Sequence, residues 1–284
     1  MSAEAGQGGE PRRASAASWA IEHVPFTRGL YTARRPSGLT ADEPMLAAPL
    51  DAVRLRHVRQ KSAAGDESLP LVVFFPDART VAQRGRRSGD GLASTLAARL
   101  PLGVTTVQIP ESVIDDREAA WQAYLAAVAE HPTLKIAMLG VGTGGALAAR
   151  TAMRARDEPP PGVPPLLRQA LISPDFNLLV GPPATTSALR TSLVALVAEL
   201  PATLVQQYGA RGASRLDPSQ NLPELLREAG VAVRSIEYPP SRLDWTEYPR
   251  AVRSAPRALD DLVAFFERGI VADGFDVVPA WNLH

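Results

Sequence analysis

Residues 140–149 read Gly140-Val141-Gly142-Thr143-Gly144-Gly145-Ala146-Leu147-Ala148-Ala149. The apolar stretch Leu134-Lys135-Ile136-Ala137-Met138-Leu139 leads into them, and the helix-prone segment Ala146 to Arg156 leads out. An apolar run, a glycine-dense break and an alanine-rich segment spell strand, sharp turn, helix.

The same alternation extends in both directions. Upstream, Ala52 to Arg59 alternates apolar and polar residues (Val53, Leu55, His57) as a half-buried strand does. Leu69 to Phe75 is a continuous apolar run beside prolines, the pattern of a buried central strand. A polar Arg/Gly loop is expected next, then a helix from Gly91 to Leu100, a strand from Val104 to Ile109 and a helix from Asp115 to Glu130. In that helix Ala119, Tyr124, Ala127 and Val128 share a face, and Asp115-Asp116 suit its N-terminus. Downstream, strands are expected at Gln169–Ser173, Ala202–Tyr208 and Val231–Glu237. Helices are expected at Ala188–Leu200, Asn221–Ala229 (ended by Gly230) and Pro256–Arg268. Strands alternating with helices of this length predict an α/β class: a doubly wound, mostly parallel sheet of about eight strands. Residues 1–18 offer no periodic apolar face and are expected to be a disordered tail before a single domain, 19–284.

Composition narrows the function classes. With 284 residues and 45% apolar content, the chain can cover a sheet on both faces. Thirty basic and 30 acidic residues cancel, which gives no basis for a nucleic-acid or anionic-membrane partner. The cluster Arg84, Arg86 and Arg87 reads as solvated surface. Cysteine is absent, so no disulfide, thiol nucleophile or Cys-based metal site is expected, and neither a metal nor a cofactor is called for. No apolar run approaches the roughly 20 residues of a membrane span. Arg12-Arg13 is followed by Ala-Ser-Ala-Ala-Ser, too weakly apolar for a secretion signal, so a cytoplasmic location is expected. Only Lys61 and Lys135 among the 30 basic residues are lysines, which points to a high-GC bacterial source.

The order and spacing of these elements resemble the hormone-sensitive-lipase-like branch of the α/β-hydrolases, over roughly residues 50–270. That branch carries a His-Gly-Gly-Gly loop after a hydrophobic strand and then Gly-Asp-Ser-Ala-Gly-Gly, the nucleophile elbow. An Asp follows a later strand, and a His sits in a Tyr-Pro-Gly-x-x-His-Gly-Phe context. Here Leu71-Val72-Val73-Phe74-Phe75 is followed by Pro76-Asp77-Ala78-Arg79. The elbow keeps Gly140, Gly144 and Gly145, with Gly142 at the serine. Gly209-Ala210-Arg211-Gly212 places Gly212 at the acid, and Glu237-Tyr238-Pro239-Pro240-Ser241-Arg242-Leu243-Asp244-Trp245 places Leu243 at the histidine. The resemblance therefore implies an α/β-hydrolase fold with a degenerate triad at Gly142, Gly212 and Leu243, and a reduced cap.

Without a hydroxyl at position 142, acyl transfer through a covalent serine ester has no nucleophile. Thr143 lies one position on, at a helix start, and is expected to contact a ligand through that N-terminus. His23, His57, His131 and His284 fit no base position. Gly140, Gly142 and Gly145 also satisfy Gly-x-Gly-x-x-Gly, a dinucleotide pattern. Three expected strands precede it, however, and Asp157-Glu158 sit beside a proline turn rather than at the end of a next strand. In this architecture ligands bind at the carboxyl ends of strands. The expected site joins Asp77 and Asp244 as catalytic candidates with Arg79, Gly142, Thr143, Asp175, Arg242 and Trp245 as ligand contacts. Asp77 and Arg79 pairing with each other at the surface is the plainer alternative. The expected function is non-hydrolytic handling of a small molecule, such as cyclisation, isomerisation or elimination in bacterial natural-product biosynthesis. A ligand-binding protein, a partner subunit (homodimeric or with another chain) and a weak esterase using an atypical residue stay open.

Overall fold

The computed structural model describes residues 32, 36–44, 46, 50, 52–63, 69–114, 117–133, 135–175, 178–179, 187–208, 222–241 and 243–272. The expected tail 1–18, the acid position Gly212, and Arg242 lie outside the described residues.

The strands are β1 (Leu39–Asp42), β2 (Arg54–Gln60), β3 (Leu71–Phe75), β4 (Gly103–Gln108), β5 (Ile136–Val141), β6 (Leu166–Ile172), β7 (Ala202–Tyr208) and β8 (Val233–Tyr238). They form one sheet in the order β1-β2-β4-β3-β5-β6-β7-β8. β1 and β2 pair antiparallel, as do β2 and β4; every later pairing is parallel. The predicted doubly wound sheet is therefore observed, with eight strands.

The helices are α1 (Ala78–Arg84), α2 (Asp90–Arg99), α3 (Arg117–Glu130), α4 (Thr143–Asp157), α5 (Ser187–Val197), α6 (Leu222–Glu228) and α7 (Ala255–Phe266). All five residues of β3 are buried, and the period of two sends them to opposite sides. Leu71, Val73 and Phe75 face the layer of α3, α4, α5 and α6. Val72 and Phe74 face α2 and α7. Burying each such side chain is worth roughly 1.5–3 kcal/mol, so a strand buried on both faces is anchored from two directions. α7 packs Ala258, Leu262, Phe265 and Phe266 inward and carries Pro256 in its first turn, where the missing N–H has no helical partner to lose. Gly230, at φ +76°, ends α6 in the left-handed conformation that glycine adopts freely.

Three expectations need correction. The stretch after Pro76 is a helix, α1, capped by Asp77, rather than a polar loop. The strand expected at Ala52–Arg59, β2, is not the first of the sheet: β1 precedes it and pairs with it at the edge. The turn after β5 is a single residue wide: the strand runs to Val141, and α4 begins at Thr143 instead of Ala146. The expected α3 face is buried as read, together with Ala120 and Trp121.

Candidate functional site

The parallel register places the C-terminal ends of β3 and β5 side by side, with Phe75 opposite Gly140. Two loops therefore emerge next to each other. One is the single residue Gly142, at φ 56° and ψ −122°, which turns the chain from strand to helix. This is the geometry of an elbow, and it disfavours any residue with a Cβ. Its backbone is pinned on both sides: Gly142 N–H donates to the Ile172 carbonyl at 2.9 Å, and Asp175 N–H donates to the Gly142 carbonyl at 2.9 Å. The flanking glycines serve packing. A Cβ on Gly140 would lie 2.6 Å from Gly145 Cα, and one on Gly144 would collide with the carbonyls of Phe75 and Pro76.

The second loop supplies Asp77, whose side chain is only 7% exposed. Its Oδ1 accepts from Arg79 N–H at 2.8 Å, the usual arrangement of a helix N-cap. Its Oδ2 accepts from Thr143 N–H at 3.3 Å, across to the other loop. A Cβ added at Gly142 would overlap that same oxygen. The Asp77 carboxylate therefore occupies the space into which a side chain at the elbow would project. Thr143 completes the exchange by accepting the Ala78 N–H on its hydroxyl at 2.9 Å. In an acyl-transfer site the N–H after the nucleophile and an N–H of the loop after β3 hold the developing oxyanion. Here Thr143 N–H and Ala78 N–H both already have acceptors.

The third contributor is the turn after β8. Asp244 Oδ1 accepts from Thr246 N–H at 2.8 Å and from the Thr246 hydroxyl at 2.7 Å, while its carbonyl accepts from Tyr248 N–H at 2.9 Å. Burial pushes its carboxyl above the ordinary range; the Thr246 bonds oppose this, Asp77 adds to it and Arg79 opposes it. Asp77, Arg79 and Asp244 thus lie within reach of one another's charge. Arg79 pairs with Asp77 at 3.4 Å but keeps 74% of its side chain exposed. The plain pairing is observed, with Asp77 buried rather than at the surface. The Asp175 charge also reaches Arg79, and its Oδ1 accepts Leu178 N–H at 3.1 Å.

Of the expected residues, the structure brings together Asp77, Arg79, Gly142, Thr143, Asp175 and Asp244. Leu243 stands half-buried against the α2/α7 side of the core. Trp245, expected as a ligand contact, is 2% exposed and packs in that core. Sequence reading missed Glu247. This carboxylate, 4% exposed, accepts from Arg84 at 2.5 Å and from Gly89 N–H at 2.7 Å, tying the turn after β8 to α1 and α2. A lone acid among Trp245, Thr246 and Tyr248 was the one available signal. His57 and His131 stack on each other with ring centroids 3.5 Å apart, in the β2–β4 region rather than at the elbow.

Among the described residues no group of three or more His, Cys, Asp or Glu side chains could hold a metal ion, and no helix is long and apolar enough to cross a membrane. An open apolar groove of about 1030 Å³, lined in part by Pro70, Val128 and Ile136, lies at the amino ends of β3 and β5. Convergent polar groups and strand ends, rather than apolar volume, mark the elbow as the candidate site.

An eight-stranded, mostly parallel sheet with helices on both faces and a one-residue turn after its central β5 defines the α/β-hydrolase fold. Solved esterases superpose on it over nearly their whole length. One from Pyrobaculum calidifontis is 19% identical, with a TM-score of 0.64 over 92% of this chain and 99% of that chain. One of two fungal esterases from Rhizomucor miehei is 17% identical, with a TM-score of 0.63 over 94% and 92%. An esterase of the bacterial hormone-sensitive lipase family is 15% identical, with a TM-score of 0.64 over 94% and 100%. At these identities the likeness carries the fold. No family model matches the sequence, and no curated protein matches it.

Proposed function

We propose that this chain is an α/β-hydrolase homologue whose triad positions, Gly142, Gly212 and Leu243, are degenerate, and that the elbow cleft handles a small molecule without covalent acyl transfer. The observation that carries this reading is the Asp77 carboxylate in the volume a nucleophile would need. A carboxylate there repels a developing oxyanion and keeps the Thr143 N–H from it. The two acids suit proton relocation instead. Asp244, held towards its neutral form by burial, can return a proton, and Asp77 can take one, so that a bound substrate is isomerised or cyclised with no atom gained or lost. A purely ligand-binding protein is the second reading, favoured by the tie of Asp77 to its cap role.

The test has two parts. The full chain should release 4-nitrophenol from the acetate and butyrate esters no faster than buffer does. Esterase turnover that vanishes in Thr143→Ala would overturn the reading. Mass spectrometry of the native protein should find a small molecule retained by the wild type and lost in Asp77→Ala and Asp244→Ala.

A further inference from the structure

His131 follows directly on α3, between Ala129 and Pro132, which both line the groove at the amino ends of β3 and β5. Its ring lies on His57 of β2, with centroids 3.5 Å apart and planes 22° from parallel. The stack thus joins one wall of the groove to the antiparallel edge of the sheet. The two rings are held unequally. His57 is 3% exposed, its Nδ1 is 2.9 Å from Thr105 Oγ1, and a Cβ on Gly103 would lie 2.6 Å from its Cε1. β4 therefore fixes it in place. His131 is half-buried, and its chain continues into Pro132, whose nitrogen has no hydrogen to donate. Beyond it, Lys135 N–H donates to Thr133 Oγ1 at 3.3 Å, which reaches back to the turn. The Lys135 carbonyl accepts Leu71 N–H at 2.9 Å, which anchors the start of β5 to β3.

Neutral imidazoles stack face to face, but two charged ones at this distance repel. Arg59 of β2 adds a further positive charge that bears on both rings. Glu130 of α3 and Asp42 of β1 oppose it at His131, Asp42 being itself paired with Arg59 at 3.9 Å. From β4 the rings meet Gly103 and Thr105, which carry no charge. Burial outweighs the two acids, so the stacked His131 gives up its proton more readily than a free histidine does. The stacked arrangement therefore binds fewer protons than the parted one. Its advantage shrinks as pH falls below the ordinary 6.5.

We propose that the His57–His131 stack is a latch released by acid. Protonation parts His131 from His57, and the end of α3, with Pro132 and Thr133, moves off β2 and shifts one wall of the groove. The latch is independent of the reading of the elbow, which lies at the opposite ends of the same strands.

Hydrogen exchange of the full chain at the Lys135 and Leu71 amides, between about pH 7.5 and 4.5, tests this. Each rate is taken relative to that of a free peptide at the same pH. In the wild type, protection at Lys135 should fall roughly ten-fold or more on acidification while that at Leu71 holds. His131→Phe keeps a flat ring without a charge and should hold Lys135 protection constant. His131→Lys is charged throughout and should show the low-pH exchange already at about pH 7.5. The chain has no cysteine, so bimane on Ala129→Cys, an exposed position, reports from the groove wall alone. Its emission should shift with pH beside His131 and not beside His131→Phe. Lys135 protection or bimane emission that ignores pH in the presence of His131 would overturn the proposal. So would an equal fall in His131→Phe, ordinary exchange in His131→Lys, or a Leu71 amide that loosens in step with Lys135, the mark of general acid unfolding.

Discussion

Asp77 and the residue at position 142 compete for one volume. A Cβ on Gly142 would overlap Asp77 Oδ2 and lie 2.9 Å from its Cγ. Placing a serine hydroxyl at position 142 alone should therefore not create an esterase. Gly142→Ser is expected to destabilise the fold by about 1–3 kcal/mol through overpacking, and Asp77→Gly by about 1 kcal/mol or less through the weakened cap. Together they should cost less than their sum, because the second change vacates the space the first requires. A double-mutant cycle from urea denaturation measures the coupling. Strict additivity would show that the two positions do not compete.

Thr143 holds the same junction from the other side. Thr143→Val removes the acceptor of Ala78 N–H, 65 positions away, and leaves that donor unsatisfied. The expected loss is about 1–3 kcal/mol, with Thr143→Ser close to wild type. Hydrogen exchange at the Ala78 amide should accelerate in the valine variant alone; unchanged exchange would refute the role.

Glu247 should give stability an unusual pH slope. Burial pushes its carboxyl up to about 7 from 4.5; Arg84 opposes this, Asp244 adds to it, Gly89 N–H opposes it and Asp90 adds to it. The folded state thus holds this proton more tightly than the unfolded chain does. The resulting stabilisation is fully present below about pH 4.5 and is lost as pH rises through about 7. Glu247→Gln keeps an acceptor for Gly89 N–H and cannot titrate, so the difference between wild type and variant should drift across that window. Urea midpoints at intervals of one pH unit give the slope, and parallel curves would rule the effect out.

His57 acts with the opposite sign. Burial first, then the His131 and Arg59 charges, lower its pKa from 6.5 to about 3. Its contribution is present above about pH 6.5 and disappears as pH falls through about 3. His57→Gln leaves a polar partner for the Thr105 hydroxyl, now 2.9 Å from Nδ1, and should flatten the acid limb of the stability profile. Acid titration followed by circular dichroism tests this. An acid limb as steep as that of the wild type would mean that another group drives it.

Much of the fold was legible because apolar period and run length are local quantities. β3 shows five consecutive buried apolar residues, and the glycine cluster after β5 admits few readings other than a sharp turn. β1 escaped notice because four residues, Leu-Thr-Ala-Asp, with only Leu39 buried, are held by pairing with β2 and carry almost no pattern of their own. α1 hid in an arginine-bearing stretch in which only Ala78 and Val81 are buried. The types of the site residues were readable, but their arrangement was not. That Asp77 would reach over Gly142 to the Thr143 N–H depends on a contact between positions 66 apart, created by the side-by-side exit of β3 and β5. The packing of Trp245 into the α2/α7 side of the core was likewise not readable from its place next to Asp244 in the chain.

The close approach of Gly140, Gly144 and Gly145 to neighbouring backbone bears on how motifs are scored. Gly140 and Gly144 exclude side chains because a strand, a helix and the Phe75–Pro76 carbonyls meet there, whatever stands at 142, while a Cβ on Gly145 would press on Pro174 at 3.0 Å. Selection for folding alone would keep such glycines whatever chemistry a chain performs. A search that rewards only these glycines would file such a chain with esterases or with dinucleotide binders indifferently. The informative position is 142, where the room for a side chain is set by its distant neighbour at 77.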